Sequence, residues 1–270
     1  MHVRKLRHRD LVSRAIAGAA VLISAYLLKS FYSQASSEDL TWIIGPTAWL
    51  TEIFSNLSFN HEPGYGWVDV KHNAVIAPAC AGVNFLIISF CMSSFQILWM
   101  KRSPKKLITG IITAGLISYA ATIIANTARI TLSVALFKTD IYFDWLTPGM
   151  LHRVNGTVIY YLFLCICSYI INYRLTSSDS ENPTSTTCVT GRKLILVVPL
   201  FWYLLFSLGV PFANNAWKNN PEQFITHALS VGLITSALTL ISFKAQYLYI
   251  RVNNALDKHK SQRQGAIQSE

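Results

Sequence analysis

The sequence predicts an all-α polytopic membrane protein with about six transmembrane helices. Its 270 residues are 52% hydrophobic and only 13% charged, which is too apolar for an ordinary soluble domain. Six apolar runs approach or exceed the ~20 residues that cross a ~30 Å hydrocarbon layer. These runs cover residues 11–32, 74–100, 107–137, 154–172, 193–213 and 224–243.

The first apolar run follows the basic segment RKLRHR, as the hydrophobic part of a signal peptide would. No small-residue A-x-A cleavage site follows residues 24–32, so we interpret it as an uncleaved first span. The net charge of +10 comes from basic residues that flank apolar runs, not from a patch interleaved with aromatic residues. It therefore indicates membrane topology and not a nucleic-acid partner.

The distribution of basic residues predicts that both termini are cytoplasmic. With six spans, 17 of the 23 lysine and arginine residues lie in cytoplasmic segments, as the positive-inside rule requires. A further apolar stretch at 40–59 would move 12 of them outside if it also spanned. Because it carries Trp42, Trp49 and the carboxylate of Glu52, we expect it to lie along the outer interface or to re-enter the membrane.

A short hairpin is predicted before the second span, because YGWVDVKHNAVI alternates apolar and polar residues around a Lys-His-Asn turn. The Ser/Thr-rich segment that follows the fourth span is predicted to be a solvated cytoplasmic linker. The domain boundaries are a membrane core at 1–175 with spans at about 11–32, 75–100, 107–130 and 153–172, the linker at 176–192, two further transmembrane helices at 193–244, and a basic cytoplasmic tail at 245–270.

Five cysteines occur, at positions 80, 91, 165, 167 and 188. Their odd number and the absence of a C-x-x-C pair predict neither a disulfide framework nor a zinc site. His61, Glu62, Asp69 and His72 share an outer loop, but they match no metal-binding spacing, so we interpret them as solvated loop residues. We expect no metal and no cofactor.

Cys80 is the strongest candidate for a reactive thiol. Pro78 favours the first turn of a helix, which would place Cys80 in the first turn of the second span. A helix N-terminus lowers the pKa of a thiol, and the thiolate is the nucleophilic form. Gly82 leaves room for an approaching peptide. A structural cysteine near a helix start explains this segment equally well.

Two further polar residues are predicted to lie at the same outer face. Arg129 is near the end of the third span, where its guanidinium could hold an oxyanion or a carboxylate, and Asn126 lies on the same helical face. His152 opens the fourth span and could act as a general acid and base, with Asp144 as a residue that could orient it. Taken singly, each is more often an ordinary interfacial residue; together they suggest a cysteine enzyme.

The three segments resemble the exosortase/archaeosortase family of polytopic membrane transpeptidases. The family's motifs are C-x-G at a helix start, N-x-x-R, and a histidine followed by glycine, at the outer ends of successive spans. The C-A-G-V-N-F form is similar to the exosortase K branch, and the resemblance covers about residues 60–172. The matching elements are Cys80-Ala81-Gly82, Asn126-Thr127-Ala128-Arg129 and His152-Arg153-Val154-Asn155-Gly156.

The resemblance implies an enzyme of the bacterial cytoplasmic membrane whose active site is on the periplasmic side. Its substrates would be exported proteins with a C-terminal sorting signal, consisting of a short motif, a transmembrane helix and a basic tail, as in PEP-CTERM proteins. By this resemblance Cys80 is the nucleophile that forms a thioester, Arg129 stabilises the transition state and His152 is the acid/base. The implied chemistry needs no cofactor and no metal.

Other functions remain open from the sequence. A transporter in which Arg129 and His152 bind an anion would not need Cys80. An assembly protein without catalysis would tolerate alanine at all three positions. A membrane acyltransferase would use the same thiol and imidazole on a lipid thioester. Transport gives no reason for a cysteine beside a glycine at a helix start, so we favour the transpeptidase.

Overall fold

The computed structural model describes residues 2–100, 104–137, 139, 147–177 and 197–267. Helices dominate this part of the chain, and a single small sheet lies between the second and third of them. The helices are α1 (His2–Gln34), α2 (Thr41–Phe54), α3 (Val83–Met100), α4 (Pro104–Phe137), α5 (Pro148–Ser177), α6 (Val197–Ala213), α7 (Ala216–Asn219) and α8 (Pro221–Ile267).

Five segments of the described chain are long and apolar enough to cross a membrane, which confirms the predicted all-α polytopic class. They are Asp10–Gln34, Pro78–Met100, Leu107–Phe137, Gly149–Tyr173 and Pro221–Ala245. The described part of the sixth predicted span is the shorter apolar helix α6, which contains a π-helical turn at Leu205–Gly209. Pro211 follows this turn and has no N–H to donate, which explains the local change of hydrogen bonding.

Helix α3 lies at the centre of the bundle and contacts α1, α4 and α5. Its sequence is apolar around most of its circumference, which is the pattern of a helix surrounded by others. Polar side chains join it to its neighbours: Ser89 Oγ donates to Ser118 Oγ at 3.0 Å, and Gln96 Nε2 donates to Ser168 Oγ at 2.7 Å. Such interhelical hydrogen bonds and small residues hold helices together where lipid removes the hydrophobic driving force.

Helix α2 packs lengthwise against α4. Tyr119 Oη donates to Trp42 O at 2.7 Å, and Thr127 Oγ1 donates to Thr47 O at 3.4 Å. Both helices therefore advance in the same direction along their contact. One face of α2 is buried, while Trp49 on the other is 63% exposed. These two contacts lie at Tyr119 and Thr127, in the part of α4 that precedes Arg129. The interfacial or re-entrant placement of the 40–59 stretch stays a prediction.

The hairpin predicted before the second span is present and gains a third strand. Strands β1 (Asn60–Glu62), β2 (Gly66–Asp69) and β3 (Ala74–Ile76) form an antiparallel sheet in that order. Gly66 has φ +111°, and a Cβ there would lie 2.6 Å from Ile76 O, so only glycine fits this close strand contact. The sheet leads directly into the segment that carries Cys80.

Asp69 is buried at the end of β2, so the prediction that it is a solvated loop residue was wrong. Its Oδ2 accepts from Ser58 N at 2.7 Å and pairs with His72 Nδ1 at 3.0 Å, while its Oδ1 accepts from His72 N at 3.0 Å. Burial by itself would raise the pKa of this carboxyl, but the hydrogen bonds from Ser58 and His72 lower it to about 2. The carboxylate closes the loop between the sheet strands.

Replacing Asp69 by asparagine is expected to destabilise the sheet by about 1–3 kcal/mol, because a charge and an acceptor oxygen are lost from a buried site. The folded pKa of about 2 lies below the unfolded value of 3.8. The carboxylate's contribution is therefore complete above about pH 4 and is lost as the pH falls toward 2. In detergent, the melting temperature of Asp69→Asn should be lower than that of wild type at pH 6, and this difference should disappear as the pH falls toward 2. Glu62→Gln, on exposed β1, is the control, and an equal effect there would contradict this role of Asp69.

The last helices of the described chain pack on α5. Tyr161 Oη is 2.5 Å from Thr239 Oγ1 on α8, and its ring meets that of Tyr203 on α6 edge-on, with centroids 5.7 Å apart. Helix α8 continues to Ile267, so the described part of the predicted basic tail is helical. The predicted linker at 176–192 lies outside the described residues beyond Ser177.

Candidate active site

Cys80 lies in a 3₁₀ turn, Pro78–Cys80, that precedes α3. Cys80 thus lies in the first turn of the apolar segment Pro78–Met100, as predicted, but this turn is 3₁₀ and separate from α3, because Gly82 has φ +77° and breaks the helix before Val83. Only glycine adopts this conformation without strain. Cys80 N donates to Ala77 O at 2.8 Å. The thiol therefore projects from a separate turn, and α3's dipole is not aimed directly at it.

Asn126 on α4 fixes this turn through the main chain. Its Nδ2 donates to Cys80 O at 2.6 Å, and its Oδ1 accepts from Tyr160 Oη at 2.9 Å. The distance from Asn126 Oδ1 to Arg129 Nη1 is 3.5 Å, at the limit of a hydrogen bond. Asn126 was predicted to support Arg129, and its strongest bonds instead connect the cysteine turn to α5.

Arg129 lies between the Cys80 turn and His152. Its Nη2 is 2.5 Å from His152 Nε2, its Nη1 donates to Tyr160 Oη at 2.9 Å, and Asn126, whose Oδ1 is 3.5 Å from Nη1, binds the Cys80 carbonyl oxygen. Tyr160 also lies under the guanidinium, with its ring centroid 5.4 Å from Cζ. The planar group thus holds His152 and Tyr160 through two separate nitrogens, a fixed geometry that a compact ammonium does not provide.

His152 lies in the second turn of α5, since that helix begins at Pro148 and not at the histidine as predicted. Arginine only donates, so Nε2 accepts from Arg129 and a neutral imidazole carries its proton on Nδ1. Nδ1 is 3.3 Å from Ser133 Oγ. Asn155 Nδ2 donates to Ser133 Oγ at 2.8 Å and to Arg129 O at 3.1 Å, which holds this arrangement in place.

Gly156 lies directly against Arg129. A Cβ at this position would be 3.2 Å from Arg129 Nε and 3.6 Å from Cδ. The glycine follows His152 by one helical turn, so both face α4. Because glycine has no side chain, α5 can approach Arg129 closely. A larger residue one turn after His152 would push the helix and the guanidinium apart.

Replacing Gly156 by alanine is expected to slow the alkylation of Cys80 by a neutral thiol reagent by about threefold to tenfold, because small displacements of a positioning group are costly. Helix propensity favours alanine by roughly 0.5–1 kcal/mol, so unfolding would not be the cause. Gly149→Ala is the matched control in the same helix, since nothing lies within 4 Å of a Cβ there. Equal rates for the two variants would contradict the close approach.

An open cavity of about 220 Å³ exposes the site. Arg129, His152 and Tyr160 line it together with Ala79 and Gly82, the neighbours of Cys80. Tyr32 of α1 also lines the cavity, and its Oη donates to Pro78 O at 3.3 Å. A peptide or another small group that enters this cavity meets the guanidinium and the imidazole at once.

The structure also shows which predicted residues do not belong here. Asp144 lies outside the described residues, so its predicted role in orienting His152 stays a prediction. Within the described part of the chain, no three His, Cys, Asp or Glu residues are grouped as a metal site would require. Sequence reasoning missed Tyr160, Ser133 and Asn155; the one available signal was helical spacing, since Tyr160 follows His152 by eight residues.

Comparison with known proteins identifies a family. The family model described as Transmembrane exosortase (Exosortase_EpsH) matches residues 15–169. No match was found among curated proteins or among solved structures. The matched segment covers more than half of the chain and extends from α1 into α5, so it includes α1 and α2 as well as the three motif segments. This chain therefore belongs to the transmembrane exosortase family.

Proposed function

We propose that this protein is a membrane cysteine transpeptidase or endopeptidase that cleaves a C-terminal sorting signal from exported proteins. The observation that carries the proposal is the contact of the Arg129 guanidinium with His152, next to the Cys80 turn that Asn126 holds and beside an open cavity. Family membership supports the same chemistry. The signal would comprise a motif, a transmembrane helix and a basic tail, as in PEP-CTERM proteins.

The resting hydrogen bonds suggest how the reaction begins. Arg129 Nη2 is engaged by His152 Nε2 before substrate binds. A substrate carbonyl oxygen that accepts from the guanidinium replaces the imidazole as its partner. This frees Nε2 to take the proton from the Cys80 thiol as Sγ attacks the carbonyl carbon. The charge that develops on the oxygen then lies against Arg129.

The remaining steps return the site to its starting state. The carbon–nitrogen bond breaks, His152 gives its proton to the leaving amine, and a thioester with Cys80 remains. Water or an amine then attacks the thioester carbonyl and loses a proton to His152. When the carbon–sulfur bond breaks, that proton returns to the thiolate of Cys80. Protons balance over the cycle without a cofactor.

The proposed location is a bacterial cytoplasmic membrane, with both termini cytoplasmic and the cavity on the outer side. The excess of lysine and arginine in the segments assigned to the cytoplasm supports this orientation. The test is the labelling of intact cells with a membrane-impermeant thiol reagent. We expect Cys80 to be labelled from outside and Cys80→Ala to lose this label. Labelling that requires permeabilised cells would contradict the orientation.

The same labelling series tests the chemistry. His152→Ala and Arg129→Ala should react more slowly near neutral pH, because the thiol loses its base or its positive neighbour. Exported proteins with the C-terminal signal should remain uncleaved in all three variants. A transporter that binds an anion at Arg129 and His152 predicts the reverse, namely that Cys80→Ala keeps full function while Arg129→Ala loses it.

A further inference from the structure

We infer that Arg153 and His227 form a subsite for a carboxylate side chain of the peptide substrate. The inference rests on the proposed function and extends it, because it assigns a substrate class to a part of the cavity that the reaction steps do not use. His227 lies on α8, outside the segment matched by the family model. The subsite thus depends on helices that this chain adds after residue 169.

Two walls of the cavity come from different faces of α5. His152, Gly156 and Tyr160 recur every four residues and face Arg129 on α4. Arg153 is turned about 100° around the helix from His152, and it lines the cavity together with His227. The second wall therefore begins one residue away from the proposed acid/base, a separation of about 3.8 Å between Cα atoms.

Helices α6 and α8 hold this second wall in place. Tyr203 of α6 lines the cavity together with Thr157, whose Oγ1 donates to Arg153 O at 3.0 Å. The contacts of Tyr161 with both helices fix their distance from α5. The position of His227 is therefore set by packing and not by a surface loop.

The charge of the cavity favours an anionic ligand. Among the described residues, its lining carries two arginines and two histidines and no aspartate or glutamate. Arg153 is exposed, and His227 is half-buried. Within the described part of the chain, neither side chain makes a hydrogen bond or an ion pair. A guanidinium and an imidazole that have no acidic partner among the residues the structure describes are suited to bind a carboxylate.

The shape of the cavity favours a peptide over a lipid as the source of this anion. Arg153 and His227 also border the adjoining groove between α5 and α8, whose volume is about 20 Å³. This is enough for a water-sized group but not for an acyl chain. An anion therefore reaches Arg153 and His227 from the main cavity, where an acidic residue near the scissile bond of a bound peptide would lie beside Arg129.

The test compares two thiol reagents on the purified full chain, N-ethylmaleimide and N-(2-carboxyethyl)maleimide, which differ by one carboxylate. The rate at Cys80 is followed by mass spectrometry of its peptide. We expect the acidic reagent to react about tenfold faster in wild type, and this preference to fall to within about twofold in Arg153→Gln and His227→Gln. Arg153→Lys should keep part of it. Lys244→Gln, on the same helix as His227, is the control and should keep all of it.

The outcomes separate the two proposals. Reaction of Cys80 with N-ethylmaleimide but no carboxylate preference, or a preference that survives both glutamine variants, overturns the subsite and leaves the proposed function standing. A Cys80 that reacts with neither reagent contradicts both. Reconstitution in phosphatidylcholine vesicles, with or without an equal part of phosphatidylglycerol, tests whether a lipid headgroup occupies the subsite. If Cys80 loses its preference for the acidic maleimide only when phosphatidylglycerol is present, the subsite binds a headgroup, and its assignment to a peptide is overturned.

Discussion

Replacing Cys80 by alanine is expected to abolish the cleavage of proteins that carry the C-terminal signal, while the fold is retained. In the proposed mechanism this side chain supplies the nucleophile that forms the thioester. The turn itself is held by main-chain bonds, from Cys80 N to Ala77 O and from Asn126 Nδ2 to Cys80 O. These bonds do not need the thiol. Cleavage in cells is measured by the change in substrate length.

Cys165→Ala is the matched control for this prediction. Cys165 is half-buried like Cys80 but lies in the middle of α5, away from the cavity lining. We expect it to keep nearly full cleavage and the wild-type melting temperature. If Cys80→Ala still cleaves the signal at a substantial rate, the thioester mechanism is excluded, and the assembly or transport interpretations gain support.

Replacing Arg129 by lysine is expected to reduce the rate of cleavage by about 10²–10³, the usual loss when an oxyanion donor is removed. The positive charge stays, but a single ammonium does not reproduce the two separate contacts of the planar guanidinium, Nη2 with His152 and Nη1 with Tyr160. The rates of cleavage and of Cys80 alkylation are measured in parallel. Because the positive charge is retained, we expect the alkylation rate to fall less than the cleavage rate.

Arg251→Lys, an exposed position on α8, controls for the exchange of arginine by lysine in general. It should change neither rate. An Arg129→Lys variant with full cleavage would show that charge alone is sufficient and that donor geometry has no role. The melting temperature shows whether the Arg129→Lys variant is folded. Arg129 Nε is buried without a hydrogen-bond partner, so replacing it with the apolar part of lysine removes no hydrogen bond.

The sequence was sufficient to predict the membrane class and three residues that the structure brings close together. Cys80, Arg129 and His152 were identifiable because a polar group at the end of a long apolar run is unusual and costly. The order of the spans then placed them at one end of the bundle. Their catalytic roles stay predictions, as does the orientation of the chain in the membrane.

The local geometry around Cys80 was not predictable in the same way. Pro78 begins a 3₁₀ turn as readily as an α-helix, and only the positive φ of Gly82 in the structure shows where α3 starts. Asp69 was misjudged because a loop aspartate becomes buried only through partners that are distant in the chain, here Ser58 eleven residues earlier. Such partners leave no periodic signal.

Sequence patterns also could not predict how the remaining helices pack. Tyr160 and Asn155 lie within an apolar span, where helical spacing alone cannot tell which face meets α4. His227 and Arg153 are 74 positions apart, and α6 lies between them in the chain. Because no repeat or motif connects them, only the tertiary contacts of Tyr161 and Tyr203 show that they share a cavity.

The central place of Arg129 has a consequence for how substitutions combine. His152 and Tyr160 of α5 both contact this guanidinium, and Asn126 of α4 connects it to the Cys80 turn. Once one substitution removes a contact and the guanidinium shifts, a second substitution disrupts less. The activation free energies lost in the single variants therefore do not add in the double variant. Free energies measured for single variants therefore describe a coupled unit, and summing them would overstate the contribution of each residue.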